Sequence, residues 1–235
     1  MNKTFIQDNS INIPVLYEDE DIIVIDKPSG ISSHEAPGEK GTTVNELFKH
    51  LYVGEDTSGR DMIVHRLDKG TSGVMVLARN AAARRALVAQ FSERKIEKTY
   101  LALVHGKLQP EKGTIDIPLA RDTIQREKIS VDPEGKPALT EYEVTEYIDD
   151  CSLVAAKPRT GRTHQIRTHL AMIGFPIVGD VRYGRKDDKI TRIFLHAKRL
   201  AFTHPLNKKA LAFESEIPQA LERYLSTIRA TKKPL

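Results

Sequence analysis

The stretch ALTEYEVTEYIDDCSLVAAK, residues 138–157, reads as two successive strands. In its first half charged and apolar residues alternate, the period of a strand with one buried face, and SLVAAK follows as a second β run. Similar segments lie on either side. VLYEDEDIIVIDKPSGI, residues 15–31, reads as short β segments, with Ile22–Asp26 ending at the turn Lys27-Pro28-Ser29-Gly30. KTYLALVHG, residues 98–106, has strand composition and ends in a glycine, and IFLHAKRLAF (193–202) and ALAFESEI (210–217) add two further runs.

Helical spacing is rarer. Thr43 stands where an N-cap belongs, ahead of Val44, Leu47, Phe48 and Leu51, and Asn80 can cap AAARRALVAQF, with Leu87, Val88 and Phe91 on one face. Thr163 is read as the cap of a third helix with Ile166, Leu170 and Ile173 as its apolar face, closing at Gly174. Pro218 suits the first turn of a last helix. Residues 32–42 and 54–61 read as loops, and 114–135 as a polar, basic excursion reaching outward, the kind of segment that often carries function. Strands outnumber helices without a steady βαβ alternation. The expectation is an α+β fold around a mixed, largely antiparallel sheet flanked by helices, rather than a doubly wound one.

At 235 residues the chain can bury a substantial core, and a single domain over 1–235 is expected, with its core from about residue 15 to residue 228. Hydrophobic residues are 40% and charged residues 29%, which suggests neither disorder nor a membrane protein. The N-terminus lacks the apolar core of a signal peptide, and no run approaches the roughly 20 apolar residues of a spanning helix. The single cysteine, Cys151, rules out an internal disulfide and a zinc site of several cysteines. A cytoplasmic monomer is the expectation. The balance of 36 Lys+Arg against 32 Asp+Glu, a net +4, permits a polyanionic partner.

Two polar clusters carry the chemistry. In VHRLDKGTSGVMVLA, residues 64–78, Asp68 ends a short polar run and is followed by Gly70 and Gly73, so the carboxylate sits in a turn where backbone can approach a ligand closely. Asp68 either caps that turn or serves a reaction. In KPRTGRTHQIRTHLAMIGFPIVGD, Arg159, Arg162, His164, Arg167 and His169 gather where a helix begins, with His164 and Arg167 on one face. That run reads as a solvated basic face or as a phosphate grip. His164 and His169 point apart on a helix and H-E-x-x-H is missing, so no metal is expected. Neither G-x-S-x-G nor a glycine-rich nucleotide fingerprint occurs.

Five blocks in order, IIVIDKPSGI, HRLDKGTSGVMVLA, KTYLALVHG, TGRTHQIRTHLAMIGFPIVGD and the weaker FLHAKRLAFTHP, resemble the RluA-type RNA pseudouridine synthases over nearly the whole chain. The resemblance implies that family's fold, with a central RNA-binding cleft, and an isomerase needing no cofactor. It breaks the bond between ribose and the uracil ring nitrogen, turns the base and rejoins it through carbon 5. Asp68 matches the family's catalytic aspartate, Arg167 the arginine paired with it, and Tyr100 the active-site tyrosine that stacks on the displaced uracil. Arg66 matches a residue that fills the gap left by a flipped base. Leu195 corresponds to an apolar position near the base, or is simply core. His65, beside Arg66, is read as loop support, and with Thr71, Arg162 and His164 completes the expected substrate contacts.

Many relatives carry a small RNA-binding domain before the catalytic one, and the short lead-in before VLYEDED is too brief for such a domain. RNA, ribosomal or transfer, is then expected to be selected by basic surface: Arg79, Arg84, Arg85, Arg94, Lys95, the loop from Arg121 to Lys128, Lys208 and Lys209. Two readings of other classes stand beside this one. A catalytically silent RNA binder would have no need for Asp68, Tyr100 and Arg167 together. A glycosidase would need a second carboxylate, for which Asp61 is the nearest candidate.

Overall fold

The computed structural model describes residues 5–8, 11–34, 42–52, 62–186 and 188–230. In chain order its elements are β1 (Phe5–Asp8), β2 (Ile11–Glu18), β3 (Ile22–Lys27), α1 (Val44–Tyr52), β4 (Ser72–Ala78), α2 (Ala81–Ser92), β5 (Glu97–His105) and β6 (Lys112–Asp116). They continue as β7 (Leu119–Arg121), β8 (Ile129–Val131), β9 (Leu139–Ile148), β10 (Cys151–Pro158), α3 (Gln165–Met172), β11 (Leu195–Thr203), β12 (Ala210–Glu214) and α4 (Gln219–Ala230). The fold is α+β and largely antiparallel, as expected, and none of the described helices is long and apolar enough to cross a membrane. The chain gathers into two compact units, Met1–Glu97 with Ala197–Glu216, and Lys98–His196 with Ile217–Leu235.

In the first unit β1 to β4 pair antiparallel in sequence order, β11 follows β4, and β12 lies antiparallel on β11. Ile22, Ile23, Val24 and Ile25 are all fully buried, as is nearly every residue of β4, so both faces of these strands are covered and their apolar runs are continuous rather than alternating. The core there joins Ile22, Val24, Val74, Val76, Leu87 and Phe202. Local signals hold. Thr43 and Glu46 form a reciprocal capping box at α1, whose Val44, Leu47 and Phe48 are buried. The Leu51 side chain, residues 35–41 and the 54–61 loop with Asp61 lie outside the described residues. The Asn80 side chain accepts from the Ala83 N–H and caps α2. Gly73, with φ +118°, must be glycine, because a Cβ there would lie 2.3 Å from the Ala197 carbonyl oxygen.

In the second unit the order is β5-β10-β9-β6, all antiparallel. The 138–157 stretch forms β9 and β10, joined at Asp149 and Asp150, with Tyr142 opposite Ala156. Phe194, Leu221 and Leu225 are buried in the same core as Ala102, Leu103 and Val154. Two expectations need correction. The 114–135 excursion is more than a loop: it begins in β6 and then folds into an antiparallel arm of β7 and β8, pairing Leu119 with Val131 and Arg121 with Ile129. The N-cap of α3 is His164 in the left-handed region (φ 53°), not Thr163. Among the described residues no side chain caps the helix; the buried Gln165 instead braces the loop ahead of it, its Oε1 accepting from the Arg162 N–H and the Thr160 hydroxyl. The helix does end at Gly174, whose φ is +89°.

Candidate active site

Asp68 stands half-buried in the loop ahead of β4, its carbonyl accepting from the Thr71 N–H at 2.9 Å. This loop is laced to the IDKPSGI turn by main-chain and hydroxyl bonds. The Ser33 hydroxyl donates to the Leu67 carbonyl (2.8 Å) and accepts from the Leu67 N–H (3.0 Å), Ser29 donates to the Gly70 carbonyl (2.7 Å), and the Gly30 N–H reaches the Lys69 carbonyl (2.7 Å). Lys27, fully buried, donates to the carbonyls of Pro28 and Ile31 and holds the turn itself in shape.

The neighbours of Asp68 divide by role. His65 accepts from the Val76 N–H (3.1 Å) and stacks on Phe91 at 4.6 Å between centroids, so its ring fastens the loop to β4 and α2. Arg66 is exposed, donating to His34 Nε2 at 3.1 Å. Thr71 is buried, and its hydroxyl meets no hydrogen-bond partner among the described residues, an unusual condition for a buried polar atom and one that a ligand would relieve.

Tyr100, Arg162, His164, Arg167 and Leu195 belong to the second unit. Tyr100 is half-buried on β5 opposite Ala156. Gln165 clamps the TGRTHQ loop to β9, its amide donating to the Leu139 carbonyl and the Thr140 hydroxyl, both at 2.9 Å. His169, fully buried, donates from Nε2 to the Ile117 carbonyl and takes the Thr140 hydroxyl proton at Nδ1; burial holds its pKa below the usual histidine value. It is a structural histidine. Arg162 donates from Nε to the Pro137 carbonyl at 3.1 Å, and Arg159 forms a two-pronged pair with Glu141. Leu195 is buried in the core of its unit.

Arg167 is the best-held cation of the group. Its Nε and one terminal nitrogen donate to the two oxygens of Asp180, each at 2.8 Å, and its guanidinium carbon lies 5.1 Å from the Tyr183 ring centroid. Asp180 also accepts the N–H groups of Arg182 and Tyr183. Burial alone would raise its pKa; the arginine and the two backbone donors overcome this and hold it below the ordinary carboxylate range. Asp180 and Tyr183 were not among the expected site residues, although Asp180 closes the TGRTHQIRTHLAMIGFPIVGD block. Lys98 was missed too: it donates to the Thr160 carbonyl (3.3 Å), and burial pushes its pKa down to about 8.

The basic surface expected from the sequence is only partly available. Arg79 is bound to Glu18 and the Asp19 carbonyl, and Lys95 lies 2.6 Å from Glu93. Arg85, Arg94, Arg121, Arg126 and Lys209 are exposed. Asp19, Asp21 and His204 lie close enough together to suggest metal ligands. The Asp19 carboxylate, however, already accepts Tyr17, His204 and the N–H groups of Asp21 and Ile22, so the group reads as a lock on the β2–β3 turn.

Comparison with known proteins fits this inventory. The RNA pseudouridylate synthase family profile matches residues 21–172. A protein described as an uncharacterized RNA pseudouridine synthase from Aquifex aeolicus is 43% identical over 94% of this chain and 74% of its own length. A ribosomal large subunit pseudouridine synthase D from Nitrosomonas europaea is 40% identical over 95% of this chain and 67% of its own length. The solved structure of human RNA pseudouridylate synthase domain containing 1 superposes with a TM-score of 0.73 at 27% identity, covering 100% of both chains. A chain this similar over nearly all its length belongs to the RNA pseudouridylate synthase family and is an isomerase that converts uridine to pseudouridine in RNA.

Proposed function

We propose that the RNA acted on is large-subunit ribosomal RNA and that Asp68, Tyr100 and Arg167 form the catalytic set. The substrate choice rests on one observation, the 40% identity to the Nitrosomonas protein named for that RNA. The residue roles rest on the match to the family's motifs and on chemistry. The reaction breaks the bond from the ribose anomeric carbon to the ring nitrogen, forms one to carbon 5, removes the proton from carbon 5 and supplies one to the freed ring nitrogen, so that no atoms are gained or lost overall and there is no redox step. Asp68 supplies the carboxylate that attacks carbon or offsets positive charge as the glycosidic bond breaks. Arg167 supplies a permanent cation to the site, and Tyr100 stacks on the turned base and takes or relays the carbon 5 proton. The target base must leave its stack; Arg66, exposed beside Asp68, is the candidate to fill the gap, and the Thr71 hydroxyl, buried without a hydrogen-bond partner among the described residues, the candidate to meet a polar group of the nucleotide.

Binding is mainly to phosphates through the exposed arginines and the β7–β8 arm, by a monomer in the cytoplasm, and it weakens steeply with salt. The test is tritium release from RNA labelled at uracil carbon 5, with ribosomal and transfer RNA offered separately and Asp68→Asn as control. Release from ribosomal RNA by the wild type alone is the expected result; release from transfer RNA only would overturn the substrate choice, and release by Asp68→Asn would overturn the role of that carboxylate.

A further inference from the structure

The turn after Asp180 fastens two things at once. On one side, the Asp180 carboxylate holds Arg167 by two bonds of 2.8 Å. On the other, the same carboxylate fixes the backbone N–H groups of Arg182 and Tyr183, and the side chains of those two residues hold the β7–β8 arm. Arg182 donates to the Glu127 carbonyl and pairs with the Glu127 carboxylate at 3.2 Å. The Tyr183 phenol oxygen accepts the N–H of Ile129, the first residue of β8, at 2.8 Å. The same phenol lies 2.8 Å from His164 Nδ1, at the N-cap of the helix that carries Arg167. The Tyr183 ring meets the Arg167 guanidinium and, edge-on, the His164 ring. Tyr183 thus touches the arm, the cap and the arginine together. The Tyr183 phenol oxygen accepts from Ile129 and is also the hydrogen-bond partner of His164 Nδ1, in a direction set by the histidine tautomer.

We propose that Tyr183 is a positioning residue that couples RNA seated on the β7–β8 arm to the setting of Arg167. The proposal rests on the reading of Arg167 as catalytic and of the arm as an RNA contact. The arm is suited to sensing RNA: Arg121 and Arg126 are exposed on it, and Ile124 at its tip is 90% exposed. The strand pair next to its tip, Arg121 with Ile129, is tied down through Tyr183, so a load on the tip is carried to the phenol. Arg167 answers because a charge-assisted pair of this geometry has a narrow range of good positions.

The test is a two-by-two comparison on the target RNA. Tyr183→Phe removes the oxygen shared by Ile129 and His164 and keeps the ring over Arg167. Arg121→Ala with Arg126→Ala weakens the tip. Tyr183→Phe is expected to lower kcat about tenfold with KM changed less than about threefold, the mark of an interaction made in the transition state. Weakening the tip lowers kcat and raises KM in the wild type, but raises only KM when Tyr183→Phe is already present. Wild-type kcat in Tyr183→Phe, or effects on kcat that simply multiply, would overturn the coupling. A readout independent of turnover is the Arg167 Nε–H resonance in RNA-free protein, which shifts in Tyr183→Phe if the joint holds the arginine and stays put if it does not. Absence of turnover by the wild type on every RNA offered would instead sink the reading of the substrate, leaving the resonance to decide the joint.

Discussion

The loop that presents Asp68 and the turn that holds Arg167 are fastened by opposite means. The first is held to its neighbouring turn by neutral bonds among backbone and serine hydroxyls; the second hangs on one buried carboxylate, Asp180, which gathers four donors. Neutral bonds are individually modest and spread the load. A buried charge pair concentrates it, because removing one partner leaves the other uncompensated in a medium that solvates it poorly. One region degrades gradually and the other fails at a single residue.

The sharpest way to break this comparison is Asp180→Asn, which removes the carboxylate that takes two hydrogen bonds from the Arg167 guanidinium. A loss of about 3–5 kcal/mol is expected in denaturant melts, with turnover falling alongside. The same carboxylate has a pH signature. Its folded pKa is lowered, so its contribution is present above the ordinary carboxylate value and is lost as pH falls through the folded one. Wild-type stability therefore falls in acid more steeply than that of Asp180→Asn; parallel curves would refute the assignment.

Ser33→Ala probes the other side. It removes one acceptor and one donor from Leu67 and should lower stability by about 1–2 kcal/mol, with a matching loss of turnover as the Asp68 loop loosens. A loss as large as that at Asp180 would erase the distinction between the two regions.

The smallest expected effect has the opposite sign. Lys98 is held to a folded pKa of about 8 against 10.5 for an ordinary lysine, so keeping it charged costs stability below pH 8. Between those values the unfolded chain carries a proton that the folded one has released, and stability rises with pH. Lys98→Met should therefore raise Tm at pH 7, by about 2–4 °C for each 1 kcal/mol gained, with the advantage shrinking toward pH 10.5. An advantage that grows with pH would contradict the buried-cation account.

What was legible in the sequence was local. Thr43 and Asn80 cap their helices because a side-chain oxygen beside unsatisfied N–H groups needs no distant partner. The β9–β10 strands were legible because their composition is carried within single runs. Thr163 misled because the chain enters α3 through His164 in the left-handed region, in a loop that Gln165 anchors on β9, and no described side chain caps the helix. The arm went unseen because strands of three residues in polar sequence have no period to detect, and its attachment depends on Tyr183, 54 positions from Ile129.

The sequence by itself determined the fold class, the motif order and the family likeness, since these follow from short-range periodicity and from residues a few positions apart. It also named Asp68, Tyr100 and Arg167. The tertiary structure alone decided which cations are engaged and by what: that Asp180 holds Arg167, that His65 and His169 are consumed by structure, and that Tyr183 joins the arm to the arginine. The reason is physical. A charge or a polar atom acquires its role from the burial and the partners that folding brings around it, and those partners are set by distance in space, on which sequence separation is nearly silent.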